Sequence, residues 1–343
     1  MASADSCKRR DRFQRNPKLE ELLTELRTIL EPAEQAFLVG KLELKYPVML
    51  VIGAPRSGTT ILMQWLASTG LIAYPSNLLS RFFASPYVGA RIQQLLTDPN
   101  FRFGNELAFA GGTDAEFAST LGKTEGLLAP NEFWYFWRRF IPNEQPEQLS
   151  PEEEASIDVD GFRRGIAAIQ LAFDKPFATK GIILQYNLSK LQEILPRCLF
   201  LHTKRDGVFN AQSLVEARRT YYGDIEAWYS ARPPGYEELL ERDPYVQVAG
   251  QIHLTNESIR QQFDDCDDAN KLTVAYEEFC ANPTRVFSQI VEKLAGLDYQ
   301  LENQYRGPSH FEAKNTPRVS DEEFERIKAA WGMIRSGTVL KQA

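Results

Sequence analysis

The stretch "VMLVIGAPRSGTTILMQWLA", Val48 to Ala67, runs from an apolar segment through two glycines into a second apolar segment. "YPVMLVIG", Tyr46 to Gly53, predicts a strand buried on both faces. "SGTTILMQWLAST", Ser57 to Thr69, predicts a helix. Strand, glycine loop and helix in succession is the setting in which free backbone N–H groups and the helix dipole hold an anion. Gly53 and Gly58 have the Gly-x-x-x-x-Gly spacing of a phosphate-binding loop, and Thr60 stands where such loops have Ser or Thr. The usual lysine is replaced by Thr59, and the positive charge sits earlier, at Arg56. Arg56 offers a planar fork of donors suited to a tetrahedral anion, and Ser57, Thr59 and Thr60 add hydroxyls. A kinase or ATPase loop needs its lysine at the β/γ-phosphates together with Mg²⁺. Without that lysine, a donor carrying less charge on the transferred group fits better, and a sulfuryl group on a phosphate is such a donor. A tight strand–helix turn with no ligand is the plain alternative.

A second element follows the same logic. "RCLFLHTKRD", Arg197 to Asp206, contains another buried strand, and "GVFNAQSLVEARRTYYG", Gly207 to Gly223, predicts the helix after it. Ser213 lies eight residues beyond Arg205. Two helical turns span about 7 residues, so Ser213 shares a side with the helix start. An Arg and a Ser at the C-terminal edge of a parallel sheet can hold one more phosphate, since ligands of open α/β folds bind at that edge. A local ion pair between Arg205 and Asp206 is the competing reading.

The rest of the chain alternates in the same way. "PKLEELLTELRTILEPAEQAFL", Pro17 to Leu38, has helical apolar spacing within a polar leader of about 45 residues. "FATKGIIL" (Phe177 to Leu184) reads as a strand, and "LSKLQEILP" (Leu188 to Pro196) as a helix stopped by proline. Asp243 to Asp265 holds a long helix. Lys271 to Leu297 gives a strand, a short helical turn and a helix ended by Gly296. "SDEEFERIKAAW" begins with Ser320 and Glu323 in capping-box spacing. Strands alternating with helices imply a central parallel sheet with helices on both faces. Residues 46–335 read as a single α/β domain. Around 77–174 the pattern weakens into helices and loops covering a site, with Pro142 to Asp160 as an exposed excursion.

Composition narrows the function. The chain has 343 residues, 43% hydrophobic, enough for a sizeable core, and a net charge of −7, which argues against nucleic acid as a partner. The four cysteines, Cys7, Cys198, Cys266 and Cys280, are far apart and suit neither a metal cluster nor a disulfide framework. The N-terminus lacks the apolar core of a secretory signal, and there is no apolar run of about 18 residues, so a cytoplasmic chain without a transmembrane segment is expected.

"PRSGTT" (Pro55 to Thr60), "RDG" with Ser213, and "VAYEEFCANP" (Val274 to Pro283) together resemble the sulfotransferase family that uses 3′-phosphoadenosine 5′-phosphosulfate (PAPS), in its bacterial and tyrosylprotein-sulfotransferase-like branch. The resemblance covers about Tyr46 to Trp331 and implies a P-loop-like sulfotransferase fold. It implies that Arg56, Ser57, Gly58, Thr59 and Thr60 bind the 5′-phosphosulfate, and that Arg205 and Ser213 bind the 3′-phosphate. "FATKGIIL" is similar to the family segment whose lysine neutralises the transferring group, here Lys180, although the family's following Pro is Ile182. "HFEAKNTPRVS", His310 to Ser320, stands in place of the family's basic loop over the nucleotide, which assigns Lys314 or Arg318 to that work. It lacks the "R-K-G-x-x-G-x-W" pattern of cytosolic members. No metal is implied.

Sulfuryl transfer also needs a base for the acceptor proton. In tyrosylprotein sulfotransferases a Glu lies shortly after the first helix. The matching stretch here, "AYPSNLLSRFF" (Ala73 to Phe83), has Ser76 and Asn77 and no carboxylate. Glu132, in "LAPNEFWYFW", is the first candidate, with aromatic surroundings expected to raise its pKa. A surface or capping role competes with that. His253 is the second candidate. Glu106 and Glu125 stay open, while His202 and Tyr276 read as packing. The acceptor is expected to be a small molecule, a carbohydrate or a lipid with a hydroxyl or amine. A P-loop small-molecule kinase and a non-catalytic nucleotide-binding module remain the alternatives.

Overall fold

A computed structural model describes residues 9–10, 14, 16–101, 118–120, 123–302 and 304–337. Four strands form its main sheet: β1 (Val48–Gly53), β4 (Phe177–Lys180), β5 (Cys198–Lys204) and β6 (Lys271–Ala275). A small antiparallel pair, β2 (Ala118–Thr120) and β3 (Lys123–Glu125), lies between β1 and β4 in sequence. The main sheet has the order β4-β1-β5-β6, and every pair is parallel. The register sets Gly53 beside Thr203 and Val51 beside Lys180, so the C-terminal ends of β1, β4 and β5 converge.

Both faces of β1 are buried, as its continuous apolar run requires. Leu50 and Ile52 point to one face, with Phe200, and pack under α6 (Val159–Phe173). Met49 and Val51 point to the other, with Leu199 and Leu201, under α2 (Thr59–Ser68) and α11 (Pro283–Gly296). This is the period-two alternation of a strand. Each such side chain removed from water contributes roughly 1.5–3 kcal/mol. A third apolar cluster joins α8 (Gly207–Tyr222), α9 (Pro244–Asp264) and α12 (Asp321–Arg335) beside the sheet. The expected α/β architecture, with helices on both faces of a parallel sheet, is what the structure has. No described helix is long and apolar enough to cross a membrane.

Local outcomes differ from expectation in four places. "FATKGIIL" is a strand only to Lys180. Gly181 lies close against Leu50 and Ile52, and Ile182–Leu184 make one 3₁₀ turn. The break leaves Lys180 at the strand's C-terminal end, where the ligand edge lies. Pro142 to Asp160 is not a free excursion: it buries Leu149 and Ile157 and contains α5 (Pro151–Ala155), whose Ser150 and Glu153 complete a capping box. At α12 the box is only half made. Ser320 accepts from the Glu323 amide, but the Glu323 carboxylate turns to Arg219 and Tyr245 instead. Asp206 does not pair with Arg205; its carboxylate caps α8 by accepting from the amides of Val208 and Phe209.

The N-terminal helix, α1 (Pro17–Phe37), is docked on the domain through buried Leu23 and Glu34. Glu34 Oε2 accepts from the amide of Val88, 2.8 Å away, at the N-terminus of α3 (Pro86–Thr97). A cavity of about 320 Å³ lies beside this contact, lined by Glu34, Arg139 and Arg164, apart from the convergent strand ends.

Candidate active site

The loop between β1 and α2 sits where the strands converge. Gly53 has φ +146°, and a Cβ there would meet the carbonyl oxygen of Thr203 at 2.6 Å. Gly58 has φ +109°, and a Cβ there would meet the Tyr276 ring at 2.7 Å. Both glycines are required by conformation and by close approach. Gly58 caps α2 with no side-chain capping bond, and the first amides of α2, Thr59 and Thr60, have no intrahelical acceptor. Such a helix start draws an anion. Arg56 is held at φ +68°, a conformation that costs a non-glycine residue energy and points to a functional constraint.

The loop hydroxyls divide between two tasks. Ser57 is buried, and its Oγ lies 2.7 Å from Thr203 Oγ1, tying the loop to β5. The Gly53 amide donates to Gln185 Oε1 at 3.2 Å. Thr59 is buried, while Thr60 Oγ1 accepts from Lys180 Nζ at 2.9 Å. Thr203 and Gln185 were not foreseen. Each becomes a partner only through the parallel register or the 3₁₀ turn.

Lys180 is 7% exposed, and its Nζ also donates to Glu132 Oε1 at 2.9 Å. Glu132 Oε2 accepts from Trp134 Nε1 at 2.7 Å, and its side chain stays 34% exposed. Burial alone pushes the Glu132 pKa up, which is the direction expected from its aromatic neighbours. The Lys180 charge and hydrogen bond, the Trp134 bond and the Arg56 charge together outweigh burial, and the net shift is downward. The expected raised pKa is therefore corrected: Glu132 is an ionised carboxylate at neutral pH. The next residue, Phe133, has φ +59°.

The segment in front of Glu132 lies alongside the chain that follows α2. Ser76 and Pro130 form an antiparallel bridge. The Asn131 amide donates to Pro75 O at 2.7 Å, and Asn131 Nδ2 to Asn77 Oδ1 at 2.9 Å. Glu132 thus stands next to the Ser76-Asn77 stretch, in which no carboxylate was found.

Arg56, Arg205 and Ser213 come together. Arg56 Nε donates to Ser213 Oγ at 3.3 Å, and Arg205 Nη1 makes a long contact of 3.4 Å to the Arg56 carbonyl. Arg205 Nε donates to Asn315 Oδ1 at 2.9 Å, and Nη2 donates to the Lys314 carbonyl. The Arg205 guanidinium lies over the Tyr276 ring, 4.9 Å from its centroid, and Tyr276 Oη accepts from the Lys314 amide. Tyr276 is therefore a packing residue that shapes this site. Lys314 is exposed, with no acidic partner among the described residues. Arg318 is engaged by both oxygens of Glu216, at 3.1 and 2.6 Å, so its charge is largely matched.

His253 is half-buried on α9 with Glu257 and Arg335 as its charged neighbours; burial lowers its pKa. His202 is buried with Nε2 3.0 Å from Asn256 Oδ1, and burial lowers its pKa to about 4. Glu125 is exposed on β3. Glu106 lies outside the described residues. No cluster of three or more metal-ligating side chains is found among the described residues.

Residues 47–300 match the model of the sulfotransferase family, and the chain belongs to that family. Among solved structures, the chain is similar to the sulfotransferase STF9 from Mycobacterium avium, with 13% identity, 96% of this chain and 87% of that chain covered, and a TM-score of 0.48. It is also similar to a sulfotransferase from Alicyclobacillus acidocaldarius, with 14% identity, 88% and 98% covered, and a TM-score of 0.39. No curated protein matches the sequence.

Proposed function

We propose that the protein transfers a sulfuryl group from PAPS to a hydroxyl or amine of an acceptor by in-line displacement. The observation that carries this reading is the chain Thr60–Lys180–Glu132, in which one ammonium bridges the anion loop and a carboxylate at 2.9 Å on each side. An acceptor at that junction meets a base and a positive charge together. Glu132 takes the acceptor proton as the new S–O or S–N bond forms. The bond from sulfur to the 5′-phosphate oxygen breaks, and adenosine 3′,5′-bisphosphate leaves.

The residues present suit this donor. The loop from Arg56 to Thr60, with the uncapped start of α2, holds the 5′-phosphosulfate. Arg205 and Ser213, with Lys314 at the rim, hold the 3′-phosphate, and the long Arg205–Arg56 contact is the one that gives way. Lys180 exchanges Glu132 for the sulfuryl oxygens and the bridging oxygen, and this releases the carboxylate to act as base. No step calls for a metal. The acceptor reaching this site is a small molecule, a carbohydrate or a lipid headgroup, in keeping with a Glu132 side chain that stays partly open to solvent.

Labelled-sulfate transfer from PAPS to a panel of alcohols, phenols and amines tests the reading, together with calorimetry of adenosine 3′,5′-bisphosphate against ATP–Mg²⁺. Transfer that disappears in Glu132→Gln, with bisphosphate binding intact, is the expected result. Tight ATP–Mg²⁺ binding with none for the bisphosphate would make it a kinase instead. Bisphosphate binding without transfer to any acceptor would leave a nucleotide-binding module.

A further inference from the structure

Aromatic residues follow Glu132 without a break from Phe133 to Trp137, and the fold divides them. Phe133, Phe136 and Trp137 are buried in the main core, where the Phe133 and Phe136 rings stack with centroids 4.5 Å apart and planes at 4°. Trp134, the first residue of α4 (Trp134–Trp137), stays half-buried at the rim. With Trp137, Ile182 and Ile183 it lines a cleft of about 160 Å³ whose charged wall is Glu132 and Lys180. Trp134 Nε1 donates to Glu132 Oε2 at 2.7 Å, while Lys180 Nζ holds Oε1 at 2.9 Å.

Side chains two residues apart do not face each other on a helix. Here the backbone turns between them. Phe133 has φ +59° and ψ +31°, in the left-handed region that bulky residues seldom adopt. Asn131 builds the turn: its Oδ1 accepts from the Phe133 amide at 2.8 Å, and its Nδ2 donates to Asn77 Oδ1 at 2.9 Å. The stacked Phe133 and Phe136 rings, on either side of Trp134 in sequence, anchor it from the core. An indole N–H at a rim commonly takes whichever acceptor is near. This one reaches a carboxylate through a strained residue, and such strain clusters where surrounding structure over-determines a functional arrangement.

The two oxygens of Glu132 therefore have different holders. Lys180, in its assigned role at the transferring group, leaves Oε1. Trp134 has no second task, and its N–H is the hydrogen bond that then remains on the carboxylate among the described residues. A carboxylate pinned at Oε2 keeps Oε1 turned toward the place Lys180 vacates, beside Thr60 and the anion loop. The charged groups facing Glu132 are Lys180 from β4 and Arg56 from the loop, and the phenols of Tyr221 and Tyr229 feel its charge as well. On α4, the Arg138 guanidinium lies 5.5 Å from the centroid of the Trp134 ring.

We propose that Trp134 is a positioning residue for Glu132: its indole N–H holds Oε2 while Lys180 is at the sulfuryl group, and so keeps Oε1 aimed at the acceptor proton. This rests on the sulfuryl-transfer reading in taking Glu132 as the base. The same bond helps to lower the Glu132 pKa. Without it the carboxylate is a stronger base that is worse aimed. A fall in kcat then reports lost aim and not lost basicity.

The test removes the N–H alone. Benzothienylalanine placed at position 134 keeps the two-ring shape and has sulfur in place of N–H, and Trp134→Phe is its companion. One readout needs no acceptor: carbon-13 NMR of protein labelled at the glutamate carboxyls, with the Glu132 signal assigned as the one missing from Glu132→Gln. In both variants the Glu132 titration is expected to move upward in pH. The other readout is PAPS-dependent sulfation of 2-naphthol. There kcat is expected to fall about tenfold in both variants, the loss of one hydrogen bond to a charged group. KM in the benzothienylalanine protein and bisphosphate affinity in both variants should stay within about twofold of the wild type, and the acid limb of the rate should move upward in pH. An unmoved Glu132 titration, or a benzothienylalanine protein with wild-type kcat, would overturn the proposal. If the wild type sulfates neither 2-naphthol nor any other acceptor while the titration moves, the sulfuryl-transfer reading falls and the hold of Trp134 on the carboxylate stands.

Discussion

Lys180 Nζ stands 2.9 Å from Glu132 Oε1 and 2.9 Å from Thr60 Oγ1, so a single buried ammonium links the anion loop to the carboxylate. The contact fixes the charge state of Glu132 and holds Lys180 at the strand end facing the loop.

Removing either partner should reduce turnover by different routes. Lys180→Ala loses a preorganised donor to the transferring group and is expected to lower kcat by roughly 10²-fold. Glu132→Gln loses the base and should cost roughly 10²–10⁴-fold, with bisphosphate affinity nearly unchanged. The pH dependence separates the two roles. Because the Glu132 pKa is depressed, the wild type should be flat with pH from about 6 upward, its activity falling only when acid protonates the carboxylate. In Lys180→Ala burial becomes the dominant influence on Glu132, so the acid limb of the residual rate should move upward in pH. Rate profiles from pH 5 to 9 check this; an unmoved limb would mean that the base is another group.

The nucleotide should be recognised at both ends without metal. With Ser213 against the Arg56 guanidinium and Arg205 against the Arg56 carbonyl, adenosine 3′,5′-bisphosphate is expected to bind at least about tenfold tighter than AMP or ADP, a modest 1.4 kcal/mol for one charge-assisted contact. Arg205→Ala should remove most of that preference, and Ser213→Ala a smaller part. Calorimetry in EDTA measures all three. Equal affinity for AMP and the bisphosphate would remove the 3′-phosphate role from this pair.

The parts of the site legible in sequence were those that local pattern decides. The apolar run before Gly53, the glycine spacing and the helix carrying Ser213 each follow from residues a few positions apart. What escaped depends on the register of distant strands. Thr203 takes the Ser57 hydroxyl because β5 lies beside β1, and Lys180 reaches Glu132 across 48 residues. The aromatic neighbours of Glu132 suggested a raised pKa because the sequence shows desolvating rings and does not show the ammonium.

Glu34 should make stability depend on pH in a direction opposite to most carboxylates. Burial raises its pKa from 4.5 to about 7, against the lowering effects of the Val88 and Tyr87 amides and of Arg139. A native pKa above the unfolded value means that the native state binds the proton more tightly between these limits. Stability from this group is then full below about pH 4.5 and is lost as pH rises through about 7, by about 3 kcal/mol in all. Glu34→Gln keeps an oxygen for the Val88 amide and removes the ionisation. It should match the wild type near pH 5 and exceed its melting temperature at pH 8. Denaturation at both pH values measures the difference, and parallel curves would show that Glu34 does not carry it.

Gly58 gives a prediction with an internal control in the same helix. Gly70, just beyond the end of α2, has φ +69° and nothing within 4 Å of where a Cβ would stand, whereas Gly58 has φ +109° and the Tyr276 ring at 2.7 Å. Gly70→Ala therefore reports backbone strain alone, about 1–2 kcal/mol for a left-handed alanine. Gly58→Ala adds a collision with a ring that is itself held, since Tyr276 lies under Arg205 and its Oη takes the Lys314 amide. The ring cannot yield without moving the arginine assigned to the 3′-phosphate. Gly70→Ala should lose a little stability and keep its bisphosphate affinity. Gly58→Ala should lose more stability and at least about tenfold in bisphosphate affinity, with the preference over AMP reduced as well. Urea unfolding and calorimetry on the two variants give the comparison. Unchanged affinity in a folded Gly58→Ala protein would mean that the close approach of Tyr276 to the loop is not what holds Arg205 in place.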